Sequence, residues 1–447
     1  MKPISAPLQN LVLLRNVVYG GFLNSAGIGF TVYIFAILYP GICATSGMLN
    51  ELRSGVITMA NVGEGSLFIA VPSLLLGMLI FARHGVFKAI YRAQPFLVFL
   101  FIFSSMVLFV SLVGADFLIS GSQMIQYAIT IGVFLLSLCF WQAPTRYIDD
   151  ALTMAVIALF ISLISAALIQ GFHEYRWVGL IHPNHYARYA YVALVLHAML
   201  TRRTNLFVFV LCFAAAYMVS ARTVMIGMLL FYLGMVCCLN YNAITSRVRQ
   251  IAGARIAAAF LIAIPLGGLF ASFFFDSDRV IDKLIRDLAI FDPDRGVSSG
   301  FIGRTDSWST FFNSMDQFVF FGYGFRSSRY GLHAVHSGVL SYFMDFGLIL
   351  GGILLTAVIA RSVYLVWFGL KDDKRALAAG MAACTTLVIQ CFEPDNFNIG
   401  FIGAFFFMLI LSYIGPTKYL PPQRLRRARP QMSRRIGGES TPLQPGT

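Results

Sequence analysis

The chain of 447 residues is 58% hydrophobic and 12% charged, with 42 Phe and a mean hydropathy of +0.75. A soluble domain carries about twice that charged fraction, so a water-soluble enzyme is excluded and a polytopic membrane protein remains. The net charge of +13 raises nucleic acid as a partner, but the basic residues follow loop alternation instead of forming one patch, and no nucleic-acid partner is expected.

Continuous apolar runs of about 20 residues predict helices, where a membrane barrel would alternate. The expected fold class is an all-α polytopic membrane protein of about twelve transmembrane helices. One large outward loop should carry short amphipathic helices. In chain order, span centres fall near Phe30, Leu74, Ser104, Ile131, Leu159, Ala193, Phe213, Leu230, Ile264, Gly351, Leu387 and Phe407. Residues 1–20 read as an N-terminal segment, 21–415 as the membrane domain, and 416–447 as a basic, Pro-rich, disordered tail that meets anionic lipid headgroups. No cleavable signal peptide is evident, because the first apolar run follows Lys2 and Arg15 and lacks a small-residue cleavage site. The seven cysteines lie almost entirely inside apolar runs and read as small core hydrophobes without a disulfide framework or zinc site.

The loops alternate in charge. One set holds Arg83, Lys88 and Arg92, then Arg146, Arg202 and Arg203, Arg247, Arg249 and Arg255, and Arg361, Lys371, Lys374 and Arg375. The positive-inside rule assigns this set and both termini to the cytoplasm. The opposite side then carries three features: a loop from about Gly171 to Tyr186, a tight turn at Ser220 to Thr223, and a long segment at about 276–336. Topology alone predicts that these three face outward together.

The outward segments hold the residues with chemistry. Gly303-Arg304-Thr305-Asp306 precedes apolar residues at helical spacing, namely Trp308, Phe311, Phe312, Met315 and Val319. Thr305 or Asp306 can cap this amphipathic helix, which suits the outer membrane–water interface. Arg304, just before its N-terminus, is either an anion ligand suited to phosphate or a surface arginine paired with a nearby carboxylate. Arg222 in the tight turn is an interfacial anchor that snorkels to headgroups, or the second half of a diphosphate clamp. His336 opens a span over 337–359 and is the candidate base, its alternative being a solvated histidine. His333 lies three residues earlier; the pair lacks the further ligands a metal needs, and no metal is expected. Asp345, nine residues further, reads as an intramembrane carboxylate about 14 Å deeper on that helix, with a structural role. In the loop from Arg176 to His185, Pro183 breaks helix, Asn184 can cap the following span, and Arg176 and His185 can extend a polar cleft. No Walker A sequence, carboxylate cluster or nucleophile elbow is present, so ATP-driven transport and serine hydrolysis have no support.

Four pieces carry a resemblance: Gly179 to His185, Ser220-Ala221-Arg222, Gly303-Arg304 with Trp308 and the Gly-Tyr-Gly of Gly322 to Gly324, and His336-Ser337 followed by Gly347. In this order they resemble the O-antigen ligase-related family of bacterial membrane glycosyltransferases, which includes O-antigen ligases and Wzy-type polysaccharide polymerases. The resemblance implies a GT-C-like, metal-independent transferase without a cofactor, in the bacterial inner membrane with its active site facing the periplasm. It implies a glycan donor on undecaprenyl diphosphate, with Arg222 and Arg304 holding the diphosphate and His336 activating the acceptor hydroxyl. Phe318, Phe320, Phe321 and Phe325 could help line a groove for the lipid tail. The implied reaction is polymerisation of lipid-linked repeat units into an exopolysaccharide or O-antigen, or else ligation of finished glycan to lipid A–core. A flippase and a chain-length regulator are the implied partners of a polymerase. A secondary transporter is the reading from another class, though no internal repeat supports it.

Overall fold

The computed structural model describes residues 145–169, 171–173, 176–178, 183–240, 304–324, 337–371, 373–393 and 402–415, with Val335 and scattered helical residues between 130 and 141. The described chain is helical, apart from one small antiparallel hairpin, β1 Gly171–His173 with β2 Arg176–Val178. Among the described residues three helices are long and apolar enough to cross a membrane. They are α1 (Thr145–Ile169, through its Ile148–Ser165 portion), α4 (Arg222–Leu239) and α7 (Leu348–Lys371). The other helices are α2 (Pro183–Thr201), α3 (Leu206–Met218), α5 (Arg304–Asn313), α6 (Gly338–Phe346), α8 (Lys374–Gln390) and α9 (Ile402–Leu411). The expected spans at Leu159, Ala193, Phe213, Leu230, Gly351, Leu387 and Phe407 each coincide with one of these helices, and Ile131 has helical backbone. Those centred on Phe30, Leu74, Ser104 and Ile264, and the tail at 416–447, lie outside the described residues.

Burial follows the sequence pattern. On α1, Met154, Ile157, Ile161 and Ile164 recur at helical spacing and are exposed, while Leu152, Ala155 and Leu159 on the other face are fully buried. That is a helix with one side to lipid and one to protein. The central helix is α2, whose residues from Tyr186 to Leu196 are all buried. It begins on Pro183, the first helical position, where a missing N–H removes no helical bond. Asn184 therefore stands inside the first turn and is not the cap. The apolar stretch from Leu206 to Leu239 divides where its sequence suggests, at Ser220, whose φ of 55° ends α3 and turns the chain into α4. Asn205 starts α3, its side chain accepting from the Phe207 and Val208 amides.

One end of the bundle is sealed by charge. Arg375 donates to the Met199 carbonyl at 3.1 Å, near the end of α2, and pairs with Asp149 at the start of α1. Asp373 caps α8 and also accepts from the Tyr413 hydroxyl at 2.6 Å. Arg361 was expected in a loop on this side, but it lies within α7 and is buried. Its guanidinium donates to the carbonyls of Leu411 and Tyr413 at 3.0 and 2.5 Å, filling the acceptors that the last turn of α9 cannot satisfy internally.

The expected single span over 337–359 is two helices. α6 ends at Phe346, Gly347 takes φ 89°, and α7 starts at Leu348. Asp345 is thus the penultimate residue of a short helix, buried, and not deep in a continuous span. The Gly322-Tyr323-Gly324 stretch closes that helix end: the Tyr323 and Gly324 amides donate to the Met344 and Asp345 carbonyls at 2.8 and 3.1 Å. The approach is too close for side chains. A Cβ on Gly322 would lie 2.3 Å from the Asp345 carbonyl carbon, and one on Gly347 2.6 Å from the Phe320 oxygen.

The same crowding distinguishes two adjacent glycines of α7. A Cβ on Gly351 would meet the Tyr342 carbonyl oxygen at 2.4 Å, whereas one on Gly352 would make an ordinary 3.7 Å contact with the Phe343 ring. Gly351→Ala is expected to destabilise by about 1–3 kcal/mol, while Gly352→Ala should be neutral or stabilising by up to about 1 kcal/mol through helix propensity. Thermal unfolding of the two purified variants in one detergent checks this; equal behaviour would refute the packing of α6 on α7.

Candidate functional site

The end of the bundle opposite the Arg375 seal collects most of the residues singled out by sequence. Tyr186 donates to the Leu163 carbonyl at 3.0 Å, so α1 and α2 run antiparallel and the C-terminal end of α1 meets the start of α2. Tyr191 donates to the Ala382 carbonyl at 3.0 Å and lies 2.5 Å from the Thr385 hydroxyl, which sets α2 antiparallel to α8. A Cβ on Gly227 would meet the Ile389 side chain, and one on Gly234 the Met381 side chain, so α4 also opposes α8. The starts of α2 and α4 and the end of α8 therefore share one end. α6 joins them through the Gly338 amide, which donates to the Glu393 carbonyl at 3.0 Å. α5 joins through Trp308, whose ring lies 6.4 Å from that of Phe392.

Arg222 is the first residue of α4 and is exposed at this end. Arg304 is the first residue of α5, so the helix begins at the arginine, and Thr305 and Asp306 lie in its first turn instead of capping it. Arg176 pairs with His173 across the hairpin, and His185 belongs to the first turn of α2; like Arg304, both have side chains outside the described set. His333 and His336 lie outside the described residues, as does Phe325. The neighbours of position 336 are described. Val335 is buried with Phe311, Phe318 and Met344. Ser337 is extended, and its hydroxyl caps α6 by accepting from the Leu340 amide at 3.3 Å.

The amphipathic element after Arg304 turns its apolar side inward. Phe311 and Phe318 are buried against α6, with Trp308 and Met315 packed beside them. Phe318 is therefore core and lines no open groove, while Phe320 and Phe321 are exposed. Tyr323, which donates to Gln317 at 3.0 Å, has its phenol pushed up first by burial and then by Asp316. Among the described residues no group of three or more His, Cys, Asp or Glu could hold a metal ion. The cysteines differ from the expectation of a uniform core role: Cys212 is buried, but Cys237 and Cys391 are exposed.

Sequence reasoning missed an ion pair in the middle of this end. Arg188, only 5% exposed, lies 3.8 Å from the Glu393 carboxylate. It had a signal: Arg188 and Glu393 are ionisable residues at the margins of two apolar segments, and such residues face the protein interior and pair with one another. Glu393 thus uses its side chain on α2 and its carbonyl on α6.

No family model matches the chain, and no curated protein matches it.

Removing one member of a buried pair strands the other charge, at about 3–5 kcal/mol. Arg188→Met should therefore lower the unfolding free energy by that order, and the double variant Arg188→Met with Glu393→Gln should recover part of the loss. A double-mutant cycle by denaturant or thermal unfolding measures it; strictly additive losses would mean that the two side chains do not interact.

Proposed function

We propose that this protein is an inner-membrane glycosyltransferase of the O-antigen ligase-related type. It moves a glycan from undecaprenyl diphosphate to an acceptor hydroxyl at the periplasmic face and polymerises repeat units of an exopolysaccharide or O-antigen. The observation that carries the reading is the shared bundle end. Arg222, the start of α5 at Arg304 and Ser337 beside His336 come from three segments far apart in sequence, and their elements meet around Phe392 and Glu393. Among the described residues, Arg202, Arg203, Lys371, Lys374 and Arg375, which charge alternation assigns to the cytoplasm, lie at or beside the helix ends on the other side of the bundle.

The chemistry fits these side chains. Breaking the bond between a sugar and a diphosphate builds negative charge on the leaving oxygen. Guanidiniums stabilise that charge through paired N–H donors and remain protonated. The acceptor is a neutral alcohol, and an imidazole near its hydroxyl takes the proton as the new glycosidic bond forms. His336 is that base, and Arg222 and Arg304 hold the diphosphate. Arg176, His185 and His333 extend the polar surroundings, and Asp345 keeps the adjoining helix end in place.

The test is transfer in proteoliposomes from a synthetic undecaprenyl-diphosphate oligosaccharide, offered a second lipid-linked unit or lipid A–core. His336→Ala should lower the rate by about 10²–10⁴-fold, and Arg222→Ala or Arg304→Ala by about 10²–10³-fold. Chain growth on the lipid carrier is the outcome expected of a polymerase. Transfer only to lipid A–core would reassign the protein as a ligase. Wild-type rates in all three variants would refute the reading.

A further inference from the structure

The exposed apolar residues of α7 and of the element before it form one continuous surface. On α7, Ile349, Ile353, Ile359, Val363, Trp367 and Leu370 are exposed and recur along one side of the helix. From Ile349 to Trp367 the helix rises about 27 Å at 1.5 Å per residue, close to the roughly 30 Å of a bilayer's hydrocarbon core. Both ends of this strip are aromatic. At the lower end Trp367 carries the Lys371 ammonium 3.5 Å above its ring, beside Tyr364, which is 40% exposed. At the upper end stand Phe320 and Phe321, 65% and 45% exposed, with Phe312 at 58%. Phe320 and Phe321 are tied to the helix start, because the Ile349 amide donates to the Val319 carbonyl at 3.2 Å and Gly347 lies against the Phe320 backbone; Phe312 is joined to them through Phe311, whose ring lies 5.2 Å from its own and 5.3 Å from that of Phe318. Aromatic rings at both limits of an apolar stretch of this length mark the two membrane–water interfaces.

We propose that Phe312, Phe320 and Phe321 form a collar seated in the lipid headgroup interface, and that collar and Trp367 together fix how deep the protein sits in the bilayer. The proposal does not rest on the transferase reading. It has a consequence for the shared bundle end. A Cβ on Gly369 would abut the Leu377 backbone and one on Gly380 the Val366 backbone, so α7 and α8 run antiparallel and Gln390 stands level with Thr356. That level is about 12 Å along α7 from Leu348. Gly227 faces Ile389, which puts Arg222 level with the turn after α8. Arg222 and Glu393 therefore lie below the plane of the collar, at the level of the outer part of the bilayer.

The experiment places a photoreactive benzoylphenylalanine at Phe320, Phe321, Ile353 or Asn313 of the full-length protein. Each variant is reconstituted in phosphatidylcholine vesicles, after confirming that it elutes as the wild type does. Irradiation should give a one-lipid mass increment at positions 320, 321 and 353 and none at 313. Tandem mass spectrometry should locate the bond near the glycerol end of the lipid for 320 and 321, and within the acyl chain for 353. A lipid adduct at 353 alone would put the collar in water and overturn the proposal. So would an absence of adducts at all three apolar positions, an adduct at 313, or attachment of 320 to the terminal half of the acyl chain.

Discussion

Hydrocarbon supplies no hydrogen-bond partners, so every backbone group left over at a helix end must find one within the protein. That constraint accounts for most of the long-range polar contacts in this structure. Arg361 fills the carbonyls at the end of α9, and Arg375 reaches a carbonyl near the end of α2. The Trp141 indole donates to the Leu409 carbonyl at 2.8 Å. The two amides of the Gly-Tyr-Gly stretch serve the end of α6, and the Glu393 carbonyl accepts from the amide that opens it. Each bond closes a local deficit and also joins two elements distant in the chain. Interhelical specificity here comes from repairing helix ends, as much as from packing apolar faces that would be equally content in lipid.

The two bundle ends meet this constraint differently. At the Arg375 end, buried Arg375 reaches a helix-end carbonyl and the more exposed Asp149, and half-buried Asp373 accepts from Tyr413. At the other end, elements are joined through short backbone contacts, the Arg188–Glu393 pair is longer at 3.8 Å, and Arg222 is exposed. Arg202, Arg203 and Lys371 are exposed at the first end, as Arg222 is at the second, so both ends present cations beside helix termini.

Sequence legibility followed the physics of each signal. Helix positions were readable because apolar runs report burial in lipid or protein directly: the helices at Leu159, Phe213 and Leu230 fall where hydropathy puts them, and Ser220 divides α3 from α4. Arg375 and Arg222, which charge alternation puts on different sides, stand at opposite ends of the described bundle. Exact helix starts were not readable, since Arg304 and Pro183 begin their helices where Thr305, Asp306 and Asn184 were equally plausible caps. The break at Gly347 is not legible because 337–359 is apolar with no charged residue except Asp345. What forces the break is the backbone of 320–324 arriving from outside the segment. Arg361 was read as a loop residue because its acceptors lie some fifty positions away, on another helix. The inward turn of Phe311 and Phe318 was hidden likewise: an apolar helical face looks the same whether it meets lipid or protein.

The interlocked glycines join the two kinds of constraint. α7 has the length of a membrane span, while α8 ends level with its interior. A flush end would leave any lipid-borne anion at headgroup height, fully hydrated, where guanidiniums are worth least because water screens them. With the collar at headgroup level as proposed, the end of α8 stands at a depth where the surrounding medium is less polar. Cations standing there interact more strongly with a developing negative charge, provided each is held by protein so that none is stranded in lipid. The Arg188–Glu393 pair meets that provision for one arginine. Its second contact, from the Glu393 carbonyl to the first turn of α6, ties the same carboxylate-bearing turn to the segment that carries Ser337. One turn of chain after α8 thus joins α2 through its side chain to α6 through its carbonyl.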